Sequence, residues 1–149
     1  MSWQTIRPQI QTFLQGIAGI QEVKGTPSLK FTGYPSAYVV QSDNVSEFET
    51  TSENQRIYAF IVRLFYQTKN IGVDTAVERL EKVVDTVLDE LDKEDQRDSS
   101  ARTIGISLPS GYQFLSILAH PSEWGELPEQ ELVMAEIRIQ IKLSRDIEP

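Results

Sequence analysis

The chain has 149 residues, of which 40% are hydrophobic, with a formal net charge of −8 at pH 7 and no cysteine. This length fits one domain, residues 1–149, that can bury a core without disulfide bonds. The acidic balance argues against wrapping nucleic acid, no apolar run approaches the roughly 18 residues of a membrane span, and the N-terminus lacks a signal-peptide layout, so we expect synthesis in the cytoplasm.

An amphipathic helix is predicted near the N-terminus, followed by a loop. Either Ser2 or Thr5 could be the N-cap of this helix. Because Pro8 fits only the first turn of a helix, Thr5 is the better candidate. The segment 23–36 is rich in turn residues and is predicted to be a loop, with one short strand around Leu29–Phe31. The apolar stripe of the helix consists of Ile6, Ile10, Phe13, Leu14 and Ile17.

Three strands are predicted next: residues 37–41, a weaker strand at 45–51, and residues 56–67. We expect them to form an antiparallel meander. The stretch 42–55 contains no basic residue, which predicts a projecting or flexible acidic hairpin that contacts a neighbouring subunit. Its candidate interface residues are Asp43, Glu47, Phe48, Glu49 and Glu53.

The third of these strands is apolar on both faces. Alternate residues from Tyr58 to Tyr66 form one apolar face, and the other is apolar except for Arg63. A strand with one face in water shows a cleaner alternation of apolar and polar residues. We therefore expect both faces of this strand to be covered by protein. A helix can cover one face, and more of this chain or another copy must cover the other. Arg63 is therefore a further interface candidate.

A second amphipathic helix is predicted over residues 74–92, with Asp74 as its cap. Between residues 74 and 98 there are ten acids and four bases, giving −6 of the −8 charge. We interpret this as a solvated face; the alternative is a surface that repels DNA or meets a basic partner. The apolar stripe consists of Ala76, Val77, Leu80, Val83, Val84, Val87, Leu88 and Leu91.

A charged linker is predicted over residues 92–102, followed by strands at 104–108, 112–118 and 133–143. Trp124 falls in a predicted loop, where an aromatic side chain is an interface candidate. The order is helix, three strands, helix, and two or three strands. This order predicts an α+β fold, an antiparallel sheet with two helices packed on one face.

Few catalytic sets can be assembled from these residues. His120 is the single histidine, so no His-pair metal site exists, and there is no cysteine nucleophile and no Gly-x-Ser-x-Gly string. Glycine-rich phosphate-binding loops are absent. Asp85, Asp89 and Asp92 lack the pattern of an EF-hand. We therefore predict a protein that is not an enzyme and holds no cofactor or metal.

The order of these segments is similar to one family. An N-terminal helix leads to Pro-Ser-Ala-Tyr-Val-Val at 35–40, an acidic hairpin, Arg-x-Tyr-x-Phe-x-Val-x-Leu-Phe at 56–65, one amphipathic helix, and Ala-x-Ile-x-Ile-x-Ile at 135–141. This layout resembles the tail-terminator and tail-completion proteins of long-tailed bacteriophages, over nearly the whole chain. The family has no catalytic residues to carry over.

The resemblance implies a structural virion protein of the tail or neck. Its subunits form a ring, commonly six-fold, that caps the tail tube and joins it to the head-side connector, with DNA at most passing through the lumen. A head-completion or neck adaptor protein of the same virion is an alternative. From other classes, a small hydrolase or ligand-binding α+β domain using His120, or a protein-interaction module, also remains open.

Overall fold

Two helices and six strands make up the part of the chain that the structure describes, residues 3–17, 19–41, 49–50, 54–97, 102–104 and 112–145 of a computed structural model. The fold is α+β, as predicted. In chain order the elements are α1 (Trp3–Gln15), β1 (Glu22–Lys24), β2 (Ser36–Gln41), β3 (Glu49–Thr50), β4 (Asn54–Gln67), α2 (Val73–Gln96), β5 (Tyr112–Leu127), a 3₁₀ turn (Pro128–Gln130) and β6 (Leu132–Arg145).

The strands form one mixed sheet in the order β1-β2-β4-β6-β5, in which only β1 and β2 pair in parallel. Strand β4 pairs with β6 along its whole length, from Asn54 opposite Arg145 to Gln67 opposite Leu132. The predicted meander is wrong, because β2 and β3 both pair directly with β4. The six residues of β2 are too few to cover the fourteen of β4, so β3 takes a second position along it.

Both helices pack on the same face of the sheet, as predicted. Helix α1 packs on β1 and β2, and α2 packs on β4, β5 and β6. Because residues of a strand alternate between faces, the apolar set from Tyr58 to Tyr66 faces the helices. The centre of this core consists of Ile6, Ile10 and Leu14 from α1, Leu80, Val84, Val87 and Leu91 from α2, and Phe60, Val62, Leu64, Ile137, Ile139 and Ile141 from the sheet.

The first helix begins earlier than the preferred N-cap, Thr5, predicts. It starts at Trp3, so Thr5 lies inside it and is not the cap, and Pro8 lies in its interior. A proline at this position lacks the N–H that would bond to the carbonyl of residue 4, and this loss is confined to the start of the helix. Burial of the stripe led by Ile6 and Ile10 holds the helix together despite it.

The second helix is longer than predicted at its C-terminal end. Its N-cap is Gly72, with φ of 84°, and Asp74 lies in the first turn, where its charge favours the helix N-terminus. The helix continues through the predicted linker to Gln96, because two acids there have backbone partners. Glu94 accepts from the N–H groups of residues 103 and 104 (2.7 Å for the latter), and Asp95 accepts from the N–H of Ile117 at 2.8 Å.

Three predicted strand boundaries change. Residues 29–31 are not a strand; the short strand β1 lies earlier, at Glu22–Lys24, and overlaps the start of the predicted loop. Strand β5 runs on through the predicted loop that contains His120 and Trp124, with irregular pairing between Phe114 and Ser116 and again between Pro121 and Trp124. These irregularities let a proline-containing segment stay paired. Of the predicted strand 45–51 only residues 49–50 are described, and of 104–108 only the buried turn residue Ile104.

Candidate functional site

The sheet face opposite the helices, here called the second face, is covered at one end by the loop of residues 25–35. The ring of Phe31 from this loop lies 5.5 Å from that of Phe65 on β4, and Tyr34 contacts Phe31 edge-on at 5.9 Å. The ring of Tyr38 on β2 lies 5.4 Å from that of Phe65. The chain therefore supplies part of the cover that the doubly apolar strand was predicted to need.

A charged network lies beside this aromatic cluster on the second face. Glu136 is only 2% exposed and accepts a hydrogen bond from Nε of Arg63 at 3.1 Å and another from the hydroxyl of Ser122 at 2.9 Å. The guanidinium of Arg138 lies 3.3 Å from the same carboxylate. Arg63 also donates to the Tyr38 hydroxyl at 2.8 Å. Four strands thus contribute to one network.

Strand pairing explains why these side chains meet. Arg63 and Glu136 are direct partners in the antiparallel pairing of β4 with β6, so their side chains project from the same face. Arg138 is two residues further along β6 and therefore also faces that side. The network contains two guanidinium groups and one carboxylate, so it carries one positive charge in excess.

The pKa values of the network reflect these contacts. Burial acts to raise the pKa of Glu136, but the hydrogen bonds from Ser122 and Arg63 and the charges of Arg63 and Arg138 leave it lowered. The hydrogen bond to Tyr38 raises the pKa of Arg63 against the effect of burial, and Glu136 raises it further. The carboxylate and the guanidinium are therefore both charged at neutral pH.

An open groove of about 390 Å³ lies on the second face between the loop and the charged network. Its lining is apolar apart from Arg63, the Tyr38 hydroxyl and a serine. The side chain of Arg63 is 35% exposed, and Leu29 on the loop is 38% exposed. The lining consists of Pro27, Ser28, Leu29, Tyr38, Arg63, Phe65, Leu127 and Met134.

The lowered pKa of Glu136 predicts acid-sensitive stability. Its ionised form stabilises the fold above the ordinary pKa of 4.5, and this contribution is lost as the pH falls through the lowered pKa of the folded state. We expect Glu136→Gln to show a smaller drop in melting temperature than the original chain between about pH 7 and about pH 3. The exposed Glu123→Gln is the control and should behave like the original chain. An identical acid response in Glu136→Gln would contradict the role of this carboxylate.

The predicted interface residues fall into three groups. Asp43, Glu47, Phe48 and Glu53 lie outside the described residues, and Glu49 is described by its backbone in β3, opposite Gln55. Arg63 lies in the charged network and lines the groove. Trp124 is 47% exposed and pairs with Ala135, which belongs to the helix-side core. Arg63 and Trp124 therefore lie on opposite faces of the sheet.

Sequence reasoning missed the partners of Arg63. Glu136 is the only acid on the polar side of β6, and an arginine on one predicted strand with a glutamate on another was the signal available. It could be used only once the register of β4 against β6 was known, since a shift of one residue moves the two side chains to opposite faces.

His120 lies on β5 as an exposed residue, with Nδ1 3.4 Å from the carbonyl oxygen of Pro121. Across the described ranges, no group of three or more histidine, aspartate and glutamate side chains is arranged to hold a metal ion. Within the same ranges, neither helix combines the length and the hydrophobicity needed to cross a membrane.

Comparison with known proteins places the fold. No protein-family model matches the chain. No curated protein matches its sequence significantly. Among solved structures, the chain is similar to one described as part of the virion of a native gene transfer agent (GTA) particle, with a TM-score of 0.51 and 13% identity, covering 96% of this chain and 95% of that one. At this identity the likeness establishes a shared α+β fold over almost the whole length.

Proposed function

We propose that the chain is a non-enzymatic structural protein of a phage-like virion. The observation that carries this proposal is the fold shared, over 96% of this chain, with a chain of a gene transfer agent virion. The segment order in the sequence, which resembles that of phage tail-completion proteins, supports the same class. In this role the chain is synthesised in the host cytoplasm and incorporated into the tail or neck of the particle.

The specific role in this proposal is tail termination. Six copies form a ring that caps the finished tail tube and joins it to the head-side connector. A closed ring needs two different surfaces on each subunit. Two candidate surfaces are the groove next to Arg63 on the second face and Trp124 of β5, which is 47% exposed on the helix side of the sheet. They lie on different parts of the sheet, which suits a heterologous contact.

The negative charge of α2 supports a role for this helix as a surface that does not bind DNA. Its solvent side carries exposed acids, among them Asp85, Asp89 and Asp92. A lumen lined by this face repels phosphate groups, so DNA passes without adhering. The proposed partners are the tail-tube protein and the head-side connector. Sequence-specific nucleic-acid binding is not part of the proposal.

Deletion of the gene, followed by electron microscopy of the particles, tests this function. Overlong tails, restored to normal length by the original gene on a plasmid, are expected for a terminator. Tails of normal length beside unjoined, DNA-filled heads indicate the neck adaptor role instead. Complete virions with normal tails would overturn both roles.

Charge reversal in the acidic segment is expected to impair assembly more than folding. Glu47, Glu49 and Glu53 changed together to lysine should leave the melting temperature nearly unchanged while reducing self-association in sedimentation. The matched control changes the exposed acids Asp85, Asp89 and Asp92 of α2 to lysine, adding the same charge elsewhere. Normal association of the first variant would show that the acidic segment is merely solvated.

A further inference from the structure

We propose that the groove on the second face binds the segment Glu47-Phe48-Glu49 of a second copy of the chain. This inference rests on the proposed ring and identifies which surfaces of neighbouring subunits meet. It follows from the chemistry of the groove, the composition of that segment, and the distance between the two along β4.

The groove is suited to bind an apolar side chain that stands next to an acidic one. Phe65, Leu127 and Met134 give it an apolar floor, and Leu29 stands at its wall, partly open to solvent. At one end lies Arg63, whose side chain is 35% exposed. A bound aromatic ring removes this apolar surface from water, and a carboxylate beside it meets the guanidinium.

The charge of the network favours an incoming carboxylate. Glu136 is buried and already accepts from Arg63 and Ser122, with Arg138 beside it. With two guanidinium groups and one carboxylate, one positive charge remains without an acid in the network. Because this charge lies next to an apolar groove, a carboxylate that enters with an apolar side chain is attracted more strongly than in open water.

The acidic segment offers this combination. Phe48 stands between Glu47 and Glu49, and residues 42–55 contain four acids and no base. A single aromatic side chain flanked by two acids matches a groove with one apolar floor and one exposed arginine. The match is one of charge and of side-chain type together.

The distance along β4 assigns the segment to another copy. Glu49 in β3 lies opposite Gln55. Arg63 is eight residues and Phe65 ten residues further along β4, which is about 26 Å and about 33 Å at 3.3 Å per residue. Glu49 is therefore far from the groove of its own chain. Glu49 lies near one end of β4 and the groove near the other, which suits the head-to-tail contact of the proposed ring.

Disulfide trapping tests this contact, because the chain contains no cysteine of its own. Two full-length chains of different mass, one with Ser46→Cys and one with Ser28→Cys, are mixed and oxidised, both purified and within extracted particles. Ser46 precedes Glu47 and Ser28 lines the groove, so Phe48, both glutamates and the apolar floor are retained. A disulfide needs Cα atoms within about 7 Å, so only docked segments are trapped. The control replaces Ser28→Cys by Thr86→Cys, an exposed position on α2.

A mixed dimer with Ser28→Cys, formed about tenfold or more in excess over Thr86→Cys, is the expected result. Adding Leu29→Asp to the groove chain, a change at an exposed loop residue, should remove the excess with the melting temperature unchanged. No mixed dimer in either preparation, equal trapping at both positions, or trapping that is insensitive to Leu29→Asp would overturn the proposal.

A second set of variants tests the contribution of charge. Arg63→Glu is introduced into the chain whose cysteine lies in the groove. It should also remove the excess, and Glu47→Arg with Glu49→Arg in the other chain should restore it. These measurements do not depend on tail length. Normal tails after gene deletion would refute termination and leave the trapped contact standing, whereas overlong tails without trapping would refute the contact alone.

Discussion

Leu80→Ala in α2 is expected to lower the free energy of unfolding by about 2–5 kcal/mol, the range seen for other buried leucines. Leu80 is fully buried in the core between α2 and strands β4, β5 and β6, so its removal leaves a cavity that the rigid sheet cannot fill. Denaturant unfolding monitored by circular dichroism measures the change. Glu81→Ala, one residue along and exposed, should stay within about 0.5 kcal/mol. Equal stability of both variants would show that α2 does not pack on the sheet.

Glu94→Ala is expected to cost a similar amount, about 2–5 kcal/mol, although the residue is charged. Its carboxylate is fully buried and accepts from the backbone N–H groups of Thr103 and Ile104 and from Arg97 at 3.0 Å. Two N–H groups left without an acceptor cost about 1–3 kcal/mol each. The same unfolding measurement applies.

Two control variants separate the carboxylate from its position in the helix. Asp92→Ala removes an exposed acid of the same helix and should change stability little. Glu94→Gln keeps one acceptor oxygen and should recover part of the loss. If Glu94→Ala and Asp92→Ala have equal effects, the carboxylate does not hold the 102–104 segment to the helix.

The elements best predicted from the sequence are those with a strong period. The apolar residues of α2 recur at helical spacing from Ala76 to Leu91, those of β6 alternate, and β4 is a long run that is apolar on both faces, so their type and packing were predicted correctly. The structure of such segments is determined mainly by burial of a long apolar face. The positions of the apolar residues in the sequence show that face directly.

The elements that were missed depend on partners distant in the chain. Pro121 marks a loop by local rules, yet the segment around it stays paired with β6 through irregular register. Glu94 reads as part of a solvated linker until the N–H groups of residues 103 and 104 reach it. Arg63 and Glu136 are separated by 73 residues, so their ion pair cannot be seen in a local pattern.

Strand β6 is the last of the described strands in chain order. It nevertheless lies in the interior of the sheet, between β4 and β5. During synthesis, α2 and β5 are made after β4 and before β6. Strand β4 therefore lacks its fourteen-residue partner until β6 has been made. Pairings with this large a sequence separation give a high contact order and slow folding. Until β6 arrives, one long side of β4 is a bare backbone edge that other nascent chains can pair with, so the protein depends on its own folding speed to avoid aggregation.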